Sequence, residues 1–134
     1  MGIKVLCAFQ SEEIFEFVKS ALKGFECEVV KASSEALALF LTHKNFPCLI
    51  ICELISDDGW GLNLLSDVKS EVDLSAIPFV FLAKRQSEMS LEQIPLPEGA
   101  QLLMTYPVES YEFVSAIKKF ICEMKDERSP ESPE

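Results

Sequence analysis

The run Cys48-Leu49-Ile50-Ile51-Cys52 is apolar at every position. It follows Pro47 and ends on the carboxylate of Glu53. A strand with one wet face alternates apolar and polar residues, whereas a strand buried on both faces does not. Such a strand belongs at the centre of a parallel sheet covered by helices on both sides. A parallel sheet also needs a long crossover, usually a helix, between successive strands. The rest of the chain has that alternation. Ile3 to Phe9, Cys27 to Lys31, Ile77 to Leu82 and Leu102 to Met104 read as four further strands. Pro78 falls at a strand start, where a missing N–H is tolerated.

The stretches between the strands have helical spacing. Glu12 to Lys23 carries Ile14, Val18, Ala21, Leu22 and Phe25 on one side. Ser11 is placed to cap its start and Gly24 to end it in a left-handed turn. Ser33 or Ser34 caps a second helix whose Ala36, Leu37, Phe40 and Leu41 share a face. A polar loop, Ser56 to Gly61, precedes a third helix expected to bury Leu64, Leu65, Val68 and Val72. The last helix, Val108 to Met124, has a stripe of Tyr111, Val114, Ile117 and Ile121, with Phe113 and Phe120 off it. Ser87 to Gln93 fits only two turns, because Pro95 and Pro97 cannot both enter a regular helix. A short helix followed by an extended stretch is expected there. Together these elements predict a three-layer α/β sandwich, doubly wound around a five-stranded parallel sheet. Residues 1–125 form one domain, and residues 126–134, with two Ser-Pro pairs and four acids, read as a disordered acidic tail or linker stub.

Twenty-two acids against twelve bases give the 134-residue chain a net charge of −10. That disfavours direct binding to nucleic acid, which needs clustered Lys and Arg. No apolar run approaches the roughly 20 residues of a membrane helix. The start, Met1-Gly2-Ile3-Lys4, lacks the features of a secretory leader, so a cytoplasmic setting and reduced thiols are expected. The five cysteines are Cys7, Cys27, Cys48, Cys52 and Cys122. Most lie in apolar runs, where Cys packs as a small hydrophobe. Cys48 and Cys52, four apart on one strand, are expected to face the same side. One histidine, His43, and no Cys-x-x-Cys pair argue against zinc. Neither a Gly-rich phosphate loop nor a nucleophile elbow is present.

In a doubly wound sheet the working site lies beyond the carboxyl ends of the strands. The residues there match a known pattern. Leu49-Ile50-Ile51-Cys52-Glu53, the loop Asp57-Asp58-Gly59-Trp60-Gly61, the strand Ile77 to Leu82, Gly99-Ala100 and Thr105-Tyr106-Pro107 follow one another with the spacing of response-regulator receiver domains. The chain resembles that family over Ile3 to Cys122. The resemblance implies a flavodoxin-like sheet in the order 2-1-3-4-5 and a place in two-component signalling.

The resemblance also shows what has changed. Receivers phosphorylate an Asp at the end of the third strand. They hold Mg²⁺ with that Asp and an acidic pair after the first strand, and read the phosphate with a Thr or Ser and a Lys. Here the phosphoacceptor position is Glu53, the acidic pair is Phe9 and Gln10, the hydroxyl position is Ala83 and the Lys position is Tyr106. Mg²⁺ prefers hard oxygen ligands, which Phe9 cannot give and Gln10 gives only as an amide. Neither Mg²⁺ nor any other cofactor is expected. Without metal and Lys nothing neutralises the charge of phosphoryl transfer. Glu53 can mimic a phosphorylated Asp, remain a solvated relic at the sheet edge, or bond to Tyr106, Lys84 or Arg85.

The reading that follows is a degenerate receiver. It is not an enzyme but a phosphorylation-independent protein–protein interaction module. Its partner is expected to be a signalling protein, with a second copy of the chain among the candidates. Trp60, either a packed lid or an exposed anchor, and Tyr111 are the expected contact residues. The alternative is a small-ligand or thiol redox sensor using Phe9, Glu53 and Tyr106, or Cys7, Cys48 and Cys52. An active phosphoacceptor ranks below both.

Overall fold

The computed structural model describes residues 3–54, 60–84 and 96–128, with side chains as far as Ile121. Its order is β1 (Ile3–Ala8), α1 (Glu12–Ala21), a 3-10 turn (Leu22–Gly24), β2 (Cys27–Ala32), α2 (Glu35–Asn45), β3 (Leu49–Leu54), α3 (Trp60–Lys69), β4 (Phe79–Lys84), β5 (Leu102–Tyr106) and α4 (Ser110–Arg128). The sheet runs β2-β1-β3-β4-β5 and each adjacent pair is parallel. This is the expected doubly wound, flavodoxin-like architecture. The expected short helix before Pro95 falls outside the described residues, as do Arg85, Asp57 and Asp58.

Alternate residues of the central strands enter two separate cores. Val5, Cys7, Leu49, Ile51, Val80 and Leu82 pack with α1 and α4. Leu6, Ala8, Ile50, Cys52, Phe79 and Phe81 pack with α2 and α3. The period of two in a strand sends neighbours to opposite faces, so the stretches buried on both sides, Val5–Ala8, Leu49–Cys52 and Phe79–Ala83, are apolar without alternation. Cys48 lies just before β3 and packs on the α1 and α4 side, opposite Cys52. The expected shared face therefore does not exist. The strand alternation applies only inside the strand, and Cys48 is outside it.

Local signals place the ends. Ser11 and Ser34 cap α1 and α2, their hydroxyls accepting from Ile14 N and Leu37 N. Gly24 is not the left-handed stop. α1 tightens into the 3-10 turn instead, and the left-handed residue is Phe46, which ends α2 at φ 48°. Gly99, before β5, has φ +98° beside Leu65, a conformation in which an L side chain would be strained.

Two helix faces differ from the periodicity. α2 buries Ala38 and Thr42, while Leu37 and Phe40 are exposed, Phe40 by 59%. A helix that is apolar nearly all round gives no single stripe, so spacing could not choose the face. Small side chains let α2 approach the sheet, and the Thr42 hydroxyl donates to Ala38 O at 2.7 Å. α4 buries Phe113, Ile117, Phe120 and Ile121, which includes the two rings expected off the stripe, and leaves Tyr111 69% exposed. Val72 follows the end of α3 and is exposed. α4 continues through Arg128, past the expected start of the tail. No described helix is long and apolar enough to cross a membrane.

Candidate functional site

The carboxyl ends of β1, β3, β4 and β5 bring Phe9, Glu53, Ala83 and Tyr106 to one edge of the sheet. The pairing Ala8↔Cys52 puts Glu53 level with Phe9, and Ala83↔Thr105 and Lys84↔Tyr106 align the other two strands. Phe9 is buried among Ile14, Phe15 and Val18, and its N–H donates to Ala32 O at 3.0 Å. The first position after β1 thus anchors the core and offers no side-chain ligand.

Glu53 is only 5% exposed. Its Oε1 accepts from Gln10 N at 2.8 Å and from Ser11 N at 3.0 Å. Ser11 is also the cap of α1, so the carboxylate sits where the helix has unsatisfied donors and a partial positive charge. A buried carboxylate is costly unless hydrogen bonded, and charge-assisted bonds to main-chain N–H groups are strong. Two expectations for Glu53 are therefore corrected. It is not solvated at the sheet edge, and it does not bond to Tyr106 or Lys84. The extra methylene lets it reach the β1–α1 turn, which residue spacing alone did not reveal.

Tyr106 turns instead to α1. Its hydroxyl donates to Glu13 Oε2 at 3.1 Å, and its ring stands edge-on to Phe17, with centroids 5.4 Å apart. Partial burial and the Glu13 carboxylate raise the phenol above its ordinary pKa. The Tyr106–Pro107 peptide is cis. Ala83 is buried and contributes no hydroxyl.

Among the described residues the receiver-like positions offer few of the hard oxygen ligands that Mg²⁺ prefers. The position after β1 is a buried phenylalanine, and the Glu53 carboxylate is engaged by two amides. Among the described residues no group of three or more His, Cys, Asp or Glu gathers as metal ligands. Trp60 is the first residue of α3 and packs in the α2 and α3 core at 6% exposure, so it is a packed ring rather than a surface anchor. Tyr111 remains at the surface. Close to it in the chain, Leu102–Thr105 of β5, Pro107–Ser110, Glu112 and Ala116 line an open groove of about 770 Å³. Burial pushes the Cys7 and Cys52 thiols far up and raises Cys27 as well, which disfavours the thiolate a redox sensor needs.

No protein-family model matches the chain. Over 105 residues it is 31% identical to Histidine kinase P4 of Formosa agariphila, a match that covers 78% of this chain and 8% of that protein. Among solved structures it is similar to a response-regulator candidate from Chloroflexus aurantiacus, at TM-score 0.75 and 25% identity over 91% of this chain and 99% of that one. The receiver domain of a signal transduction histidine kinase from Syntrophus aciditrophicus gives TM-score 0.75 at 21% identity, covering 93% of each chain. The chemotaxis protein CheY4 of Vibrio cholerae gives 0.72 at 19% identity, covering 90% of this chain and 99% of that one. Its structural neighbours are response-regulator receiver domains, and the chain has their fold.

Proposed function

We propose that this chain is a degenerate receiver, a non-enzymatic module of two-component-type signalling in the cytoplasm that works by protein contact and accepts no phosphoryl group. One observation carries the reading. The residue at the phosphoacceptor position has its Oε1 committed to Gln10 N and Ser11 N, inside the protein. A nucleophilic carboxylate must instead face the phosphodonor in line, with a metal to neutralise charge. Glu53 is held away from that task, Phe9 and Gln10 supply no acidic pair, and Ala83 and Tyr106 supply neither hydroxyl nor ammonium at the reading positions. Mg²⁺ has no role in this reading.

The face available to a signalling partner includes Tyr111 and the groove along β5. The chain's charge of −10 favours a basic partner surface and a fast, salt-sensitive encounter. Intact-mass analysis after incubation with acetyl phosphate and Mg²⁺ tests the chemical half of the proposal. The expected result is an unchanged mass, and a stoichiometric phosphoryl adduct on Glu53 would overturn it. Affinity capture against an equally acidic control protein tests the other half. A partner that is retained over the control and lost on Tyr111→Ala is the expected result.

A further inference from the structure

We infer that the Gln10 and Ser11 amides form a small anion nest whose ligand class is the carboxylate, and that Glu53 is the ligand this chain carries for itself. The inference rests on the reading above, in which Glu53 is not a phosphoacceptor, and adds what the carboxylate does instead.

Two successive main-chain N–H groups converge on one oxygen, at 2.8 and 3.0 Å. Consecutive amides turned to one side make a concave, partly positive site for an anion. Here the site opens α1, a helix of ten residues, so the helix end adds to the field. The occupant is an observed carboxylate, almost wholly buried. Among the described residues the donors to its Oε1 are main-chain amides, with no ammonium or guanidinium. The Ser11 side chain is engaged elsewhere, accepting from Ile14 N.

Reach explains why the residue is Glu. The register sets Glu53 level with Phe9, so its carboxylate must extend to the amides of the next two residues. An Asp would stop roughly 1.5 Å shorter, one carbon–carbon bond. The nest does here what an acidic pair and metal do in a working receiver: it joins the end of β3 to the β1–α1 turn. The join is made by the chain's own atoms.

Amide exchange at Gln10 and Ser11, read by NMR on the full chain, tests this. In Glu53→Ala the two amides are expected to exchange roughly 10- to 100-fold faster than in the parent, the loss of a hydrogen bond to a charged group. Sodium formate, at ionic strength matched with chloride, is expected to restore slow exchange in the variant and leave the parent unchanged. Parent amides that exchange as fast as the variant's, or formate acting no differently from chloride, would overturn the inference. Glu53→Gln keeps the shape and removes the charge, and serves if the alanine variant does not fold. Upfield-shifted, faster-exchanging amides are expected. Shifts and protection equal to the parent's would mean that shape alone holds the turn, and the anion assignment would fail. A phosphoryl adduct on the parent would remove the proposed function without producing any of these results.

Discussion

Tyr106 and Glu13, 93 positions apart in the chain, meet through a hydrogen bond of 3.1 Å from the phenol to the carboxylate. The same ring contacts Phe17, and Phe17 contacts Phe113 with centroids 5.5 Å apart. The end of β5 is thereby fastened to α1 and, through Phe17, to α4. Glu53 fastens the end of β3 to the start of the same helix. Two positions that the receiver resemblance gives to phosphate chemistry instead make contacts that tie α1 to the sheet.

Removing the phenol oxygen should cost little at neutral pH and less at high pH. The contact is exposed, so Tyr106→Phe is expected to lower stability by about 0.5–1 kcal/mol. The phenol is raised in the fold, so its contribution is full below the ordinary value of 10.0 and fades as pH rises through the folded value. Urea unfolding of parent and variant at neutral and strongly alkaline pH checks the sign. A stability gap that widened with pH would contradict it.

Gly61, in the first turn of α3, lies against β3 and β4. A Cβ there would meet Glu53 O at 2.9 Å, Phe81 at 3.3 Å and the Cys52 sulfur at 3.4 Å. The nearest atom is backbone in the central strand and cannot swing aside. Gly61→Ala is expected to destabilise by about 1–3 kcal/mol, the range for overpacking a tight core. It should also disturb the amides of Gln10 and Ser11, because moving β3 moves Glu53. Thermal unfolding together with amide spectra tests both.

The fold was legible because several signals agreed. The unbroken apolar run of β3 demanded two covered faces, and Ser11 and Ser34 fixed helix starts. Helix faces were harder. The apolar residues of α2 run without a break from Ala36 to Leu41, so spacing groups Leu37 and Phe40 on one face, whereas the residues buried against the sheet are Ala38 and Thr42. Position in the family pattern found Glu53 and Tyr106. Their partners were not legible, since Gln10 and Ser11 contribute backbone amides that any residue type would carry. Tyr106 reaches Glu13 through folding of distant segments, which no local spacing encodes.

Helices α2 and α4 give a direct contrast. Phe113 is fully buried and contacts Phe17, whereas Phe40 is mostly exposed. Phe113→Ala is expected to cost about 3–5 kcal/mol, the lost transfer energy plus the cavity. Phe40→Ser is expected to change stability by less than about 0.5 kcal/mol, as for a surface site. Chemical denaturation of both variants measures the difference. A large loss for Phe40→Ser would mean that the α2 face is packed in solution.

The thiols separate an interaction module from a redox sensor. Cys7 and Cys52 lie in opposite cores, and burial holds both far above the ordinary thiol range. Cys27, half-buried, is raised as well, mainly by burial and further by Cys48. The thiolate is the reactive form, so Cys7 and Cys52 in the native chain are expected to resist iodoacetamide at neutral pH and react fully in denaturant. Peptide mapping by mass after timed alkylation reads this residue by residue. The same burial gives a stability signature. The unfolded chain can release these protons above about pH 9 and the native chain cannot, so stability should fall as pH rises through that range. Rapid native labelling of either thiol would shift the balance toward the redox reading, because only a low-pKa, accessible sulfur reacts that way.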